Sequence, residues 1–259
     1  MTQEKRILVC EDSLEGIFSA VYDGWKECLG GVEVSVQTSF PTNMELFTTY
    51  REIDTDRSKT GKVMRTILVK LGSEAYEQIC LAAAGADPDR GTAIYYVLHR
   101  ALGHGRCETN VMEALADPYV NKVAKLALRV KREYHHYFGF IRFREISGMF
   151  LLAQIQPEND ILPLLAPHFS NRFPNENWVI YDEGRQKALC HGKGTECVIK
   201  KEVRLQIPRN AMGDRGEYEE LWRAFCDSVA IEARHNERLQ KQMLPLRFRN
   251  NMPEFSMKG

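Results

Sequence analysis

The spacing of the apolar residues changes once along this chain, near residue 138, and this change restricts the fold more than any other feature of the sequence. From Val63 to Val130, apolar side chains recur with the 3.6-residue period of amphipathic helices. After Gly139 the period becomes two, which is typical of strands with one buried face. The sequence therefore predicts an α+β fold, with a helical layer and a mainly antiparallel sheet.

The same change of period gives the expected domain organisation. We expect residues 1–259 to form a single α+β domain, or two tightly packed lobes. In the second case residues 1–138 are mainly helical, and residues 139–259 contain the sheet and a C-terminal helix. A chain of 259 residues with 44% hydrophobic side chains is long enough to bury such a core.

The first third of the chain begins with a β-α-β pattern. Arg6–Cys10 and Val32–Gln37 are predicted strands, and Asp12-Ser13 is predicted to cap the helix between them. No G-x-G-x-x-G loop follows the first strand, so no dinucleotide cofactor is predicted. Nothing else in the chain calls for a cofactor.

The clearest helix of the middle third begins after Asp117, which can cap it, and Pro118, which suits the first helical position. One side of this helix is predicted to be buried, and the other to be polar. The buried stripe consists of Val120, Val123, Ala127, Val130, Tyr134 and Tyr137, and the polar side of Arg129, Arg132, Glu133 and His136.

Beyond Gly139 the sequence predicts a hairpin that starts at Phe140 and turns at Ser147-Gly148. The elements predicted after it are a helix over Ile161–Phe173, strands at Trp178–Tyr181, Lys187–His191 and Cys197–Lys200, and a long helix from Asp214 towards Met243.

Charge and cysteine content limit the classes of function. Basic and acidic residues both number 35, so an anion site has to be local. Residues 120–150 carry seven basic and two acidic side chains. Seven scattered cysteines do not form a disulfide framework, and no apolar run is long enough for export or membrane insertion. We therefore expect a cytoplasmic protein.

The candidate site residues lie between Glu133 and Arg185. Histidines, aromatic residues and arginines surround Gly139 at a predicted helix-to-strand corner, and this mixture suits nucleotides, because aromatic rings stack on bases and arginine binds phosphate at two points. The candidate acid/base residues are Glu133, His135 and His168, and the candidate phosphate or nucleic-acid ligands are Arg142, Arg144, Arg172 and Arg185.

Each of these residues also has a structural explanation. The aromatic residues can be core, and His168 can be held by a backbone carbonyl. Asp182 and Arg185 can stabilise the turn after a strand. Cys190, His191 and Cys197 lack the paired spacing of a zinc site, so no metal is predicted.

Several of these segments, taken in order, resemble one bacterial family of DNA metabolism and repair proteins whose members have no established reaction. They include Glu133-x-His135, Gly139-Phe140-x-Arg142-Phe143, His168-Phe169-x-x-Arg172-Phe173, Trp178-x-Ile180-Tyr181-Asp182-x-x-Arg185 and Pro245-x-Arg247. The resemblance implies a radical-SAM partner protein of DNA repair or modification. Similar domains are also found fused to uracil-DNA-glycosylase-like domains.

The residues and the resemblance together lead to three alternatives. The first is a DNA repair or modification protein that binds DNA or nucleotide and acts with a radical-SAM partner. The second is an enzyme that acts on a nucleobase or a phosphodiester, with the histidines or Glu133 as acid/base. The third is a protein–protein adaptor that makes no contact with nucleic acid. The sequence does not decide whether the protein is an enzyme.

Overall fold

The computed structural model of the chain describes residues 5–28, 32–105, 107–146, 148–205 and 236–249, together with 252 and 255. The chain divides into two compact units. Unit 1 is Met1–Arg132 with Glu158–Asp160, and unit 2 is Glu133–Pro157 with Ile161–Gly259. Nothing in this division decides between the one-domain and two-lobe expectations, which stay predictions.

Unit 1 contains a three-stranded sheet and three helices, followed by the first part of a fourth helix. In chain order its elements are β1 (Lys5–Cys10), α1 (Leu14–Cys28), β2 (Glu33–Gln37), β3 (Thr48–Ile53), α2 (Arg57–Ala83), α3 (Arg90–Leu102) and the start of α4 (Pro118–Phe140), with single 3-10 turns at Gly103–Gly105 and Val111–Glu113. The strand order is β2-β1-β3, and both pairs are parallel.

The predicted β-α-β start is confirmed, since β1 and β2 are parallel and α1 connects them. The Ser13 hydroxyl accepts a hydrogen bond from the Gly16 backbone N–H at 3.0 Å, so Ser13 caps α1. Strand β3 was not predicted. It lies at the edge of the sheet, and Ile53 is its only buried residue, so its sequence lacks the apolar alternation of a half-buried strand.

The core of unit 1 lies between the helices and this sheet. It includes Leu8, Phe18, Ile67 and Leu98, none of them more than 1% exposed. Helix α3 packs closely on β2, because a Cβ atom at Gly91 would lie 2.8 Å from the Val36 carbonyl oxygen. The neighbouring Thr92 hydroxyl donates to that carbonyl and accepts from the Val36 N–H, which satisfies the free edge of β2.

The predicted start of α4 is also confirmed. The Asp117 carboxylate accepts hydrogen bonds from the backbone N–H groups of Tyr119 and Val120 at 2.8 and 3.2 Å. Helix α2 has a kink at Gly72, which has a φ of 88°, and the helix continues beyond it.

Unit 2 contains the end of α4 and a five-stranded sheet. Its other elements are β4 (Arg144–Ile146), β5 (Phe150–Ile155), α5 (Leu162–Arg172), β6 (Trp178–Asp182), β7 (Lys187–His191), β8 (Val198–Lys200), α6 (Glu237–Met243) and α7 (Leu246–Arg249). The strand order is β4-β5-β6-β7-β8.

The chain has an α+β fold, as predicted, but the expectation of a mainly antiparallel sheet is wrong. The sheet of unit 1 is parallel, and the sheet of unit 2 is mixed, because β5 and β6 run parallel. The physical reason is α5, which lies between β5 and β6 in sequence and returns the chain to the same end of the sheet. We predicted this helix from its sequence but did not recognise it as a crossover.

The two faces of this sheet are both covered. On one face Ile146, Leu152, Tyr181 and Ala188 form a small buried cluster. Helix α5 packs on β7, and its Phe169 contacts Trp178 with ring centroids 6.2 Å apart. Trp178 in turn stacks on His191 at 5.0 Å.

The predicted position of the helix-to-strand corner is wrong by several residues. Helix α4 continues through Gly139 to Phe140, so the strand begins at Arg144 rather than at Phe140. The hairpin itself is present, with Gly148 at a φ of 65° in its turn. Most of the predicted long helix, residues 206–235, lies outside the described residues, and only its end, Glu237–Met243, is described as α6.

Candidate functional site

Three of the predicted site residues meet on one surface of unit 2. His135 and Phe138 lie on the last turns of α4, and His168 and Arg172 lie one turn apart on α5. The rings of Phe138 and His168 stack with centroids 4.1 Å apart and an interplanar angle of 15°. We call this surface, formed by His135, Phe138, His168 and Arg172, the exposed aromatic face.

The outer members of the exposed aromatic face are open to solvent. His135 and Arg172 are exposed, and Phe138 and His168 are partly buried. The His135 ring contacts Phe138 with centroids 5.5 Å apart. The Arg172 guanidinium lies 5.5 Å from the centre of the Phe173 ring, so it is held near the face.

The environment of His168 favours its neutral form. Burial lowers the pKa of His168 from its usual 6.5, and the nearby Arg172 and His135 lower it further. A neutral imidazole can stack on Phe138 without desolvating a charge. Within the described part of the chain, His168 Nε2 is buried and has no hydrogen-bond partner.

Glu133 lies elsewhere, and its predicted position on a polar, exposed side of α4 is wrong. Its side chain is only 2% exposed. The guanidinium of Arg247 on α7 approaches it, with Nη2 to Oε1 at 3.7 Å. Phe248 is also buried and packs edge-on against His136 and Tyr137 with centroids 5.6 and 4.9 Å away. The C-terminal segment therefore covers a side of α4 that its own sequence marks as polar.

Arg185 belongs to a second buried group. It donates to the Asp182 carboxylate at 3.3 Å and to the Pro157 carbonyl at 3.0 Å, and its backbone N–H donates to Asp182 at 3.1 Å. Asp182 is completely buried. This is the turn-stabilising arrangement that we considered for Asp182 and Arg185, placed where the parallel strands β5 and β6 both end.

Tyr137 lies close enough to both buried carboxylates for them to shift the pKa of its hydroxyl. Burial raises the pKa of Tyr137, Glu133 raises it further, and Asp182 adds a smaller contribution in the same direction. Arg247 and the Gln156 backbone N–H act on the pKa of Tyr137 in the opposite direction. Glu133 and Asp182 thus both act electrostatically on Tyr137. We call these two buried carboxylates, together with Tyr137 and their arginine partners Arg185 and Arg247, the buried carboxylate network.

The two remaining arginines are not brought to the exposed aromatic face by any described contact. Arg142 donates to the Gly139 and Ile141 carbonyls at 2.7 and 3.3 Å, where it caps the C-terminus of α4. Arg144 lies on β4 opposite Leu152. The predicted set thus separates into His135, His168 and Arg172 on the exposed face, Glu133 and Arg185 in the buried network, and Arg142 and Arg144 at the corner.

Sequence reasoning did not single out Phe248, and it named Arg247 only as part of the Pro245-x-Arg247 segment of the resemblance, without a role in the site. Their signal was weak, because an arginine and a phenylalanine in a short irregular tail show no periodicity. Glu133 also gave a signal that was misread. Its place on the predicted polar side of α4 suggested an exposed carboxylate, whereas its side chain is 2% exposed. Arg129, on the same predicted side, pairs with Glu158 at 3.7 Å.

The described residues contain neither a cluster of metal-ligating side chains nor a helix that could span a membrane. In that part of the chain, no group of three or more His, Cys, Asp or Glu side chains is placed to hold a metal ion. Cys197 instead lies 3.0 Å from the Ser170 hydroxyl. None of the described helices is long and apolar enough to cross a membrane.

Comparison with known proteins gives one match. No curated protein and no solved structure matches the chain. The matched segment, residues 88–254, begins just before α3 and includes both the exposed aromatic face and the buried carboxylate network. The family model that matches this segment is that of DUF4130, a domain of unknown function, and the chain belongs to this family.

Proposed function

We propose that this protein binds DNA through the exposed aromatic face of unit 2. The observation that carries the proposal is the stacked pair of Phe138 and His168, 4.1 Å apart, beside two exposed cationic or protonatable side chains. Aromatic faces stack on bases for about 1–3 kcal/mol each, and a guanidinium supplies phosphate contact.

Two properties of the face support an anionic partner. In the described part of the chain Arg172 has no carboxylate partner, so its charge is available to a phosphate. His135 and Arg172 both lower the pKa of His168, which places three nitrogen-bearing side chains within electrostatic range of one another. A structural role for Arg172 is the competing explanation, because a cation in the last turn of α5 also stabilises the helix.

The proposed biological role is DNA repair or modification together with a radical-SAM partner. Its support is the resemblance of the sequence segments to the bacterial DNA metabolism and repair family, and the exposed aromatic face lies within those segments. Copurification of the two proteins from cells that express both tests this part. Failure to copurify would remove the partner from the proposal and leave DNA binding to be tested separately.

The enzyme alternative receives less support from this geometry. Glu133 and His135 are two residues apart on α4, so they point to different sides of the helix, and Glu133 is buried. An acid/base mechanism that joins Glu133 to His135 or His168 would need another conformation. Whether the protein catalyses any reaction stays a prediction to be tested.

The binding test uses fluorescence anisotropy of the full chain with a fluorescein-labelled 20-nucleotide single strand and the matching duplex. Arg172→Ala is expected to weaken binding and to lower the slope of log affinity against log salt by about 0.7–0.9. Phe138→Ala is expected to weaken single-strand binding by about fivefold to a hundredfold.

Arg238→Ala is the matched control, because Arg238 is an exposed arginine on another element of unit 2. It is expected to change the affinity by less than about twofold. Absence of binding at low salt, or equal effects of Arg172→Ala and Arg238→Ala, would contradict the proposal.

A further inference from the structure

Unit 1 contains a groove that neither the DNA proposal nor the family match explains. It has a volume of about 360 Å³ and lies among α1, α2 and α3. Its walls include Tyr22, Trp25, Val63 and Leu102. Volumes of this size are typical of small-molecule sites. Most of the lining belongs to α1 and α2, which lie outside the matched residues 88–254.

The floor of the groove is the hydrophobic core itself. Val21, Ile67 and Leu98 reach it, and each is at most 2% exposed. Few polar groups line the groove. They belong to Thr66 and two lysines, which lie at its rim. An occupant would therefore place an apolar body against the floor, since a polar body would lose hydrogen bonds to water there without replacement.

The rim of the groove on α2 is strongly basic. Residues 57–71 of α2 hold five basic side chains and no acidic ones. Lys59 pairs with Asp23 at 2.7 Å. The other four are Arg57, Lys62, Arg65 and Lys70, and within the described residues none of them has a carboxylate partner.

Two of the unpaired lysines stand at the groove itself. Lys62 and Lys70 both line it, and the Lys62 ammonium lies 5.4 Å from the centre of the Tyr22 ring. A second depression along α2 is lined by Arg57, Arg65 and Lys62, so the positive surface continues from the groove towards the start of the helix. The positive charge of this surface is complementary to an anionic head group at the rim of the groove.

We propose that this groove binds a small anionic amphiphile, a molecule with an apolar chain and a carboxylate or similar head. The apolar chain lies on the floor beside Trp25, and the head lies between Lys62 and Lys70. These lysines are eight residues apart on one helix, or about 12 Å along its axis, so their long flexible side chains can both approach a head group that lies between them. The scarcity of polar lining groups disfavours a nucleobase as the occupant.

The test compares three ten-carbon probes. Decanoate and decyltrimethylammonium are used below their critical micelle concentrations, and decanol is used below its solubility limit. Each is titrated against the full chain carrying bound 1-anilinonaphthalene-8-sulfonate, and displacement of the dye is measured. Decanoate is expected to bind with at least tenfold higher affinity than the cationic probe, as judged by displacement of the dye, because only the carboxylate is opposite in charge to the rim lysines.

The variant Lys62→Glu/Lys70→Glu is expected to weaken decanoate binding at least tenfold and to leave decanol binding within about twofold. The matched control is Lys125→Glu, because Lys125 is an exposed lysine of the same unit on α4. It is expected to change neither the decanoate affinity nor the decanol affinity. Thr66→Phe, which fills part of the groove from an exposed position, is expected to weaken both decanoate and decanol while the thermal unfolding midpoint stays unchanged.

Three results would overturn the proposal. They are absence of saturable displacement by decanoate, equal affinity for decanoate and the cationic probe, and an unchanged decanoate affinity in Lys62→Glu/Lys70→Glu. Displacement by adenosine monophosphate that is tighter than displacement by decanoate would also overturn it, because it would identify a nucleotide as the occupant.

Discussion

Single residues of unit 2 differ in their surroundings according to which side of α4 they occupy. His135 is exposed beside Phe138, whereas Glu133 is buried and approached by Arg247. A buried carboxylate is stable only when it is paired or hydrogen-bonded, so Glu133 is explained by stability and His135 is free to meet a ligand. The two residues were predicted as one acid/base group, but they belong to different surroundings.

The burial of His168 predicts how the free energy of unfolding depends on pH. Because burial lowers its pKa below the usual 6.5, the unfolded chain binds a proton that the folded chain does not hold as the pH falls below 6.5. The free energy of unfolding should therefore decrease with falling pH. His168→Phe keeps an aromatic ring on Phe138 and removes this proton.

The measurement is urea unfolding of both proteins between pH 7.5 and pH 5.5. Wild type is expected to lose more stability over this range than His168→Phe. If the two proteins lose stability in parallel, burial of His168 in the folded state has no consequence for protonation.

At the scale of elements, close approaches of the backbone fix how α1 follows β1. A Cβ atom at Gly16 would lie 2.3 Å from the Glu11 carbonyl oxygen, so only glycine fits the first turn of α1 after this connection. Gly61 in α2 is the opposite case, since nothing lies within 4 Å of a Cβ atom there. The same residue type is therefore required at one helical position and dispensable at the other.

This contrast predicts opposite effects of one substitution. Gly16→Ala is expected to lower the free energy of unfolding by about 2 kcal/mol or more, because the backbone has to shift. Gly61→Ala is expected to raise it by about 0.5–1 kcal/mol, because alanine favours the helix. Chemical denaturation of both variants checks this, and a neutral or stabilising Gly16→Ala would show that the close approach is easily relieved.

At the scale of the whole molecule, α4 is a continuous helix whose residues belong to both compact units. Residues 118–132 are counted with unit 1 and residues 133–140 with unit 2. Helix formation is cooperative, so loss of one end of α4 weakens the other. We therefore expect the chain to unfold in one transition.

Tryptophan fluorescence tests this expectation, because Trp25 lies in unit 1 and Trp178 in unit 2. Two variants each keep one of these residues, Trp178→Phe/Trp222→Phe and Trp25→Phe/Trp222→Phe. In each, the fluorescence transition is expected to coincide with the far-UV circular dichroism transition. Separate midpoints within one variant would show that the units unfold independently.

Much of the local structure was predictable from sequence. The β-α-β start, the Asp117 cap and strand β7 at Lys187–His191 all agree with the pattern. Strand β3 and the true end of α4 were not predictable in the same way. An exposed edge strand lacks alternation, and Gly139 looked like a helix end although α4 continues past it.

From the sequence alone, most of the described helices and strands and many of their core-facing positions could be predicted, because periodicity and capping act over a few residues. The parallel pairing of β5 and β6 could not be predicted in this way, since it depends on where α5 returns the chain. Only the tertiary structure decided that Glu133 is buried, because Arg247 and Phe248 approach it from more than one hundred residues away. Contacts between distant segments leave no periodic signal, and they separated the predicted site into an exposed aromatic face and a buried carboxylate network.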